Sequence, residues 1–174
     1  MEKAYFAGGC FWCTEAIFRR LRGVEEVISG YSGGSTDKPS YEEVVSGNTG
    51  HVEAIEITFS PKKISYEDLL YVFLRTHDPT DTGGQGADRG SQYLSRVFYT
   101  SEEQKALAEK AIEKAQAEYD EPIVTEILPF ENFYEAEGYH QDYYERNRSA
   151  GYCRLVIDPK IKKLEEKMSE FIES

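Results

Sequence analysis

Cys10 lies where a reactive thiol is favoured, between a predicted strand and a predicted helix. Residues 3–7 are predicted as a strand, and residues 11–21 contain no Gly or Pro and carry apolar side chains at helical spacing. Backbone N–H groups and the dipole at a helix N-terminus favour the thiolate, which is the nucleophilic form of cysteine. We therefore predict that Cys10 is a nucleophile, and its spacing from Cys13 also permits a local disulfide. The alternative is a cysteine buried for packing alone.

Glu53 is the candidate acid that would act with this thiol. Side chains alternate along residues 51–59, and Glu53 shares a strand face with Ile55, Ile57 and Phe59. Burial among apolar groups raises the pKa of a carboxyl group, so the protonated form persists at neutral pH and can donate a proton. The alternative is a carboxylate at a strand end that reaches water.

His140 allows two further interpretations. His140 could be a base that activates Cys10, as in cysteine hydrolases, although nothing in the sequence brings the two residues together. A zinc site is the second interpretation, since Cys10, Cys13, His140 and Cys153 supply enough ligands. The chain has one CxxC pair and no second pair at finger-like spacing, so we expect no metal site.

The elements that must position these residues alternate between strands and helices. Strands are predicted at residues 3–7, 24–31, 51–59, 93–99 and 123–130. Helices are predicted at residues 11–21, 65–77, 101–119, 133–147 and 159–172, with a helical turn after Ser40 at residues 41–46. This order predicts a mixed α/β or α+β layer sandwich in which helices cover a central sheet.

Residues 78–92 form the longest predicted loop. A stretch of this length without secondary structure is usually functional in a compact domain. Its glycines do not indicate a phosphate site, because neither GxxxxGK[ST] nor GxGxxG fits and Arg89 stands where the third glycine should be. A second predicted loop, residues 147–152, leads into Cys153.

Length and composition limit the classes of function. A chain of 174 residues suits one domain, and 20 basic against 32 acidic residues give a net charge of -12. We therefore expect no nucleic-acid and no membrane partner, and the sequence has neither a bilayer-spanning apolar run nor a signal-peptide pattern. Three cysteines suit a reducing compartment, so we expect a cytoplasmic protein with catalytic or redox thiols.

Seven motifs between residues 4 and 159 resemble, in this order, those of one family. The motifs GCFWCTE, GYSGG, PSYEEVVSGNTGHVEA, HDPT, GADRGSQY, HQDYYERN and GYC resemble the A type of peptide methionine sulfoxide reductases. The resemblance implies an α+β fold, a two-layer sandwich with a mixed central sheet flanked by helices and a ferredoxin-like core. It also implies that one catalytic domain, residues 1–174, reduces the S epimer of methionine sulfoxide, free or in proteins.

The resemblance implies a role for each candidate residue. Cys10 would attack the sulfoxide sulfur and Glu53 would protonate the oxygen. Tyr41 and Tyr93 would donate hydrogen bonds to that oxygen. Phe11 and Trp12 would form the walls that receive the substrate methyl group. Asp88 and His140 would be outer residues that orient the site. The sulfenic acid left on Cys10 would become a disulfide. Thioredoxin, or dithiothreitol as a substitute, would reduce that disulfide without a bound cofactor, and we expect a monomer.

Two thiols compete for the role of resolving cysteine. Cys13 is one helical turn from Cys10, but a rigid turn has to meet strict disulfide geometry. Cys153, in the segment 148–174, follows a predicted loop that can swing toward a sulfenic acid. We expect Cys153 to resolve, with Cys13 as a relay or backup. Relatives commonly have Gly where this chain has Cys13, and they commonly have a proline in the motif before Cys153 that this chain lacks. Both differences could change which thiol resolves the sulfenic acid.

Two alternatives from other classes of function remain open. A general thiol-disulfide oxidoreductase could use Cys10 and Cys13, and it would need neither Glu53 nor Tyr41. A non-enzymatic module could bind a peptide with its many tyrosines. Formation of methionine from methionine sulfoxide and dithiothreitol distinguishes all three.

Overall fold

A six-stranded sheet lies at the centre of the structure, a computed structural model that describes residues 1–172. The strands are β1 (Glu2–Gly8), β2 (Val24–Ser32), β3 (Val52–Phe59), β4 (Gly84–Gln85), β5 (Asp88–Arg89), β6 (Ser95–Tyr99), β7 (Glu126–Pro129) and β8 (Phe133–Glu135). The helices are α1 (Phe11–Phe18), α2 (Tyr41–Val45), α3 (Tyr66–Thr76), α4 (Glu102–Ala115), α5 (Tyr143–Arg146) and α6 (Asp158–Lys167). The strand order is β7-β6-β1-β3-β2-β8, and β4 pairs with β5 in a separate hairpin.

The sheet is mixed. Its register places the turn between β1 and α1, which contains Cys10, beside the start of β3. Only β6 and β7 run parallel, while the other neighbouring strands are antiparallel. Phe6 of β1 lies opposite Ile55, and Tyr31 of β2 lies opposite Glu53. Because β1 and β3 are antiparallel, the end of β1, which leads to Cys10, lies near Glu53. A mixed sheet with helices agrees with the predicted fold class.

Helices α1, α3, α4 and α6 cover one face of the sheet. Ile55 and Ile57 point to this face and are fully buried in the main core. Val52 and Ala54 point to the other face, where Phe133 and its neighbours cover them. Burial of each large aliphatic side chain stabilises the fold by about 1.5–3 kcal/mol. The period-two pattern of β3 thus separates two apolar layers.

Capping boxes define the starts of two helices. Ser65 accepts a hydrogen bond from the Asp68 N–H, and the Asp68 carboxylate accepts one from the Ser65 N–H. Ser40 and Glu43 form the same arrangement at α2. Such caps contribute about 1 kcal/mol each. Both starts agree with the sequence prediction, and the second one fixes Tyr41, the first residue of α2.

The predicted helix at residues 133–147 is wrong. Its first residues form β8, which pairs with β2, and a 3₁₀ turn follows at Gly138–His140. Asp142 has a φ of 56°, a left-handed conformation that prevents a continuous helix. Helix α5 is therefore only one turn long.

Cys153 lies in a helix, and the predicted loop of residues 147–152 is confined to residues 147–150. The chain is helical from residue 151, and Cys153–Ile157 form a π-helical turn that continues into α6. The Cys153 side chain is fully buried. Single π-helical turns are rare and occur often at functional sites.

Several predicted elements are shorter than expected. Strand β6 begins after a 3₁₀ turn at Ser91–Tyr93, and α6 ends before a 3₁₀ turn at Ser169–Phe171. The predicted loop at residues 78–92 contains the small β4–β5 hairpin. Within residues 1–172, no helix combines the length and the apolar character needed to cross a membrane.

Candidate active site

Cys10 lies in the turn between β1 and α1, as predicted, and is 8% exposed. Gly9 has a φ of 98°, and a Cβ at this position would come 2.7 Å from Gln85 Cγ. Glycine is therefore required both for the backbone conformation and for the close approach of the β4–β5 hairpin. Gln85 accepts a hydrogen bond from the Asp78 N–H at 2.8 Å, which holds the hairpin to the chain just after α3.

Burial determines the protonation of Cys10 more than the helix N-terminus does. The pKa of Cys10 is raised well above its usual value, first by burial and then by a hydrogen bond with Cys13 and by the nearby charge of Glu53. The expectation that the helix dipole favours a thiolate is therefore wrong for the resting protein. Cys10 rests as a neutral thiol.

Glu53 is 2% exposed on the core-facing side of β3, so its predicted burial is confirmed. One carboxylate oxygen, Oε1, accepts a hydrogen bond from the Phe11 N–H at 3.1 Å. Burial raises the pKa of Glu53 to about 8 and outweighs the opposing effect of that hydrogen bond. At neutral pH the side chain is mostly a carboxylic acid, and the first turn of α1 holds it beside the thiol.

Tyr93 packs against the apolar cluster that contains Cys10, and the Tyr41 ring lies 4.6 Å from the His140 ring, between centroids. Burial is the main cause that raises the pKa of both tyrosines, and ionisation of Glu53 or Cys10 would raise it further, so both hydroxyl groups keep their protons. The Tyr41 N–H donates to Glu137 Oε2 at 2.9 Å. Glu137 was missed in the sequence because no pattern singles out one glutamate in an acidic segment. It anchors the start of α2 and with it Tyr41.

Trp12 forms a flat wall held by two side chains. Its indole ring stacks on Tyr143 at 3.7 Å between centroids, and its Nε1–H donates to His140 Nδ1 at 3.1 Å. Because His140 accepts at Nδ1, the proton of the neutral ring is on Nε2. Burial lowers the pKa of His140, so the ring stays neutral. Its lone pair is already engaged, which leaves it unable to act as a base toward Cys10.

Phe11 is almost fully buried and packs against Tyr31 and His140, at 5.7 Å and 5.1 Å between ring centroids. Its ring therefore belongs to the core as well as to the site. Among residues 1–172, no group of three His, Cys, Asp or Glu side chains could hold a metal ion.

Asp88 contacts the thiols through Tyr152, a residue that sequence reasoning missed. The Tyr152 hydroxyl donates to Asp88 Oδ2 at 2.6 Å and lies 3.4 Å from Cys13 Sγ. Tyr152 is in the GYC motif beside Cys153, and that proximity was the signal available in the sequence. Asp88 thus orients a hydroxyl group at Cys13 and reaches the site from β5.

The three cysteines are free and share one apolar cluster with Ile157. A hydrogen bond from Cys10 lowers the pKa of Cys13 to about 7, with further lowering from Lys160 and Tyr152 that together outweigh burial. Burial raises the pKa of Cys153. Of the three thiols, Cys13 is therefore the one that ionises near neutral pH.

Glu15 is a buried carboxyl group that supports the aromatic wall. Its Oε1 accepts hydrogen bonds from the Ser29 hydroxyl and from the Asp142 N–H, both at 3.1 Å. Asp142 is the left-handed residue that immediately precedes Tyr143, which stacks on Trp12. Glu15 belongs to the GCFWCTE motif, yet its type and position did not reveal this role. It connects α1 to the turn that positions Tyr143.

Comparisons with known proteins agree with the motifs. A family model described as peptide methionine sulfoxide reductase matches residues 2–172. The peptide methionine sulfoxide reductase MsrA of Sulfolobus acidocaldarius is 53% identical over 163 residues, which are 94% of this chain and 93% of that protein.

Two solved structures of one yeast protein are also similar. Mxr1 from Saccharomyces cerevisiae in its reduced form has a TM-score of 0.83 at 34% identity and covers 87% of this chain and 88% of its own. Mxr1 in complex with Trx2 has a TM-score of 0.59 at 26% identity and covers 82% of this chain and 84% of its own.

Proposed function

The chain belongs to the peptide methionine sulfoxide reductase family, a family of oxidoreductases. We propose that it reduces the S epimer of methionine sulfoxide, free or in proteins, with Cys10 as the nucleophile and Glu53 as the acid. The observation that carries this proposal is the buried carboxyl group of Glu53, with a pKa raised to about 8, beside a buried thiol. A neutral acid next to a nucleophile is what sulfoxide reduction requires, because the oxygen has to be protonated before it can leave sulfur.

In the first step Cys10 sulfur attacks the sulfoxide sulfur while Glu53 gives its proton to the oxygen. The Cys10 proton then replaces the one that Glu53 gave away. The oxygen passes to Cys10, which becomes a sulfenic acid, and methionine is released two electrons more reduced. The hydroxyl groups of Tyr41 and Tyr93 donate hydrogen bonds to the oxygen, and their raised pKa values support this role.

Selection of the S epimer follows from three contacts around one tetrahedral sulfur. The oxygen faces Glu53 and the two tyrosines, and the methyl group faces Trp12 and the edge of Phe11. The line of attack from Cys10 fixes the third direction. In the R epimer the oxygen and the methyl group exchange places, so a polar oxygen meets the indole wall without a donor. His140 and Tyr143 support this selection because they hold Trp12 in place.

We propose that Cys13 resolves the sulfenic acid first and that Cys153 acts second. Cys13 has the lowest pKa of the three thiols, and the Tyr152 hydroxyl lies beside its sulfur. Its thiolate attacks Cys10 sulfur, and the hydroxyl group leaves as water after protonation. Cys153, buried in the same cluster, then attacks Cys13 and returns Cys10 to a thiol. This order differs from the sequence expectation because Cys153 is fully buried in a helical turn.

A thioredoxin-class protein is the reductant in this proposal, and no bound cofactor takes part. The complex of the similar protein Mxr1 with Trx2 supports that assignment. Two thiols of the reductant supply the two electrons and two protons that turn the final disulfide back into two thiols. Dithiothreitol can replace the protein reductant in an assay.

The whole chain acts as one catalytic unit in this proposal. Cys10 comes from its beginning and Tyr152 from its end, and both line the same site. The strand order β6-β1-β3-β2, with α1 after β1 and α3 after β3, supports a ferredoxin-like core. We also propose that the protein works as a monomer in the cytoplasm, where free thiols persist.

The function is tested by incubating the protein with separate S and R epimers of methionine sulfoxide and dithiothreitol, and by measuring methionine chromatographically. Methionine is expected from the S epimer, with at most a few per cent of that rate from the R epimer. Equal rates would refute the selection argued above. Reduction of insulin disulfides is the control for a general thiol-disulfide oxidoreductase, and we expect it to be negligible.

The order of the thiols is tested by one turnover without reductant, followed by thiol counting and peptide mapping. The Cys153→Ser variant is expected to accumulate a disulfide between Cys10 and Cys13. The Cys13→Ser variant is expected to retain the sulfenic acid for longer, because the remaining thiol is buried and has a raised pKa. Immediate formation of a Cys10–Cys153 disulfide in Cys13→Ser would contradict the order.

A further inference from the structure

A groove reaches Cys10 and Cys13 from the side of the C-terminal helix. It is a groove of about 520 Å³ that runs from Cys13 past Tyr152 to Leu155, with Lys160 and Lys163 on its rim. We call it the Leu155 groove. Glu53, Tyr41 and Trp12 are not among its lining residues, and it shares Cys10, Cys13 and Asp88 with the proposed sulfoxide site.

We propose that the Leu155 groove is the docking site for a thioredoxin-class protein, with Leu155 as its apolar anchor; this rests on the function proposed above. The side chain of Leu155 is 80% exposed, the most of any large hydrophobic residue in residues 1–172. It belongs to the same π-helical turn as Cys153, whose side chain points inward and is fully buried. One turn therefore presents an apolar contact to a partner and carries a redox thiol behind it.

The charge of the rim indicates the kind of surface that binds there. Lys160 forms no ion pair or hydrogen bond within the described part of the chain, and Lys163 donates only to the Arg75 carbonyl oxygen. The groove also contains Asp78 and Asp88, so its basic part is confined to Lys160 and Lys163, on a protein with a net charge of -12. We expect the partner to carry an acidic area around its reactive dithiol. Such an area would complement the Lys160 and Lys163 rim and would be repelled by the acidic remainder of this chain's surface.

The groove also satisfies the chemistry of reduction. A thiolate of the partner attacks the disulfide sulfur of Cys13, forms a mixed disulfide and releases Cys153 as a thiolate. The second thiol of the partner attacks the mixed disulfide, so the partner leaves oxidised and both cysteines are reduced after taking up two protons. Lys160 at the rim favours the approach of a thiolate. The partner reaches the disulfide without entering the sulfoxide pocket.

The test compares two reductants on the Leu155→Ser variant. With reduced thioredoxin, maintained by its reductase and NADPH, the KM for thioredoxin is expected to rise roughly tenfold, the scale for removing an apolar anchor. With dithiothreitol, the rate of methionine formation is expected to stay within about twofold of the parent, because a small dithiol needs no docking surface. Val124→Ser is the matched control, since Val124 is also exposed but does not line the groove.

A second pair of variants tests the charged rim on the same helix. Lys160→Glu and Lys162→Glu change the net charge equally, but Lys162 does not line the groove and lies near Glu166. The ratio of thioredoxin-driven to dithiothreitol-driven rates is expected to fall several-fold in the first variant only. An unchanged thioredoxin KM in Leu155→Ser, or equal losses with both reductants, overturns the docking site. No methionine from the parent with dithiothreitol would instead refute the proposed function itself.

Discussion

Replacing Glu53 by Gln is expected to stabilise the protein, increasingly so as the pH rises. The pKa of the carboxyl group is about 8 in the folded chain and near 4.5 in the unfolded chain. Between these values the folded state binds one proton more than the unfolded state does. Raising the pH through this window therefore lowers the free energy of unfolding of the parent. A glutamine is neutral in both states, so the variant lacks this loss.

The expected size of the effect follows from the pKa in the structure. Each pH unit inside the window corresponds to about 1.4 kcal/mol, and Glu53 is almost fully buried, so solvent screening is small. Between pH 5.5 and pH 7.5 the stability of Glu53→Gln relative to the parent is expected to increase by about 2.5 kcal/mol. The glutamine oxygen can still accept the Phe11 N–H, so the backbone contact is retained.

Urea unfolding at the two pH values, followed by circular dichroism under reducing conditions, measures this difference. Glu109→Gln, at an exposed position of α4, is the control for loss of one negative charge. A difference between Glu53→Gln and the parent that is the same at both pH values would refute the reasoning. It would mean that the Glu53 carboxylate is already ionised and solvated at pH 5.5.

Three further predictions concern the reacting groups. Cys10→Ser is expected to abolish methionine formation with dithiothreitol, because an alcohol cannot pass through the sulfenic acid, and sizeable residual turnover would contradict the mechanism. Glu53→Ala is expected to lower kcat/KM by about 10²-fold or more. Glu53→Gln is expected to lower it by less, because an amide still donates a hydrogen bond. Parental rates in both variants would show that Glu53 has no role in catalysis. Tyr152→Phe is expected to raise the pKa of Cys13 and to slow its alkylation at pH 7 by roughly tenfold, measured by mass spectrometry.

Local patterns in the sequence were sufficient for the part of the site that rests on β1, α1 and β3. A period-two pattern assigns each side chain of β3 to a face, and that assignment alone buries Glu53 with Ile55. Gly8 and Gly9 end β1 before the apolar residues of α1, which places Cys10 in the turn. These predictions need no information about distant residues, so they could be made from a single sequence.

The contacts that support the site depend on residues far apart in the chain and could not be predicted in this way. Residues 133–147 have helical aromatic spacing, but pairing of β8 with β2 and the left-handed Asp142 determine their conformation. Tertiary contacts there outweigh a local preference, as they often do in short segments. The bonds from Tyr152 to Asp88 and from Trp12 to His140 join segments more than 60 residues apart.

The same burial that keeps Glu53 protonated also keeps Cys10 a thiol, and this suits a neutral substrate. A sulfoxide carries no net charge, so under the proposed function a site with a thiol and a carboxylic acid would bind it without enclosing an unpaired charge in an apolar pocket. In the proposed attack Glu53 would give one proton to the oxygen and recover the proton that leaves Cys10. In that mechanism reactants and products are neutral, and charge develops only in the transition state, where Tyr41 and Tyr93 would donate hydrogen bonds. An ionised Cys10 would require Glu53 to hold its proton next to an anion. Raising the pH above the pKa of Glu53 is thus expected to remove the acid before it improves the nucleophile.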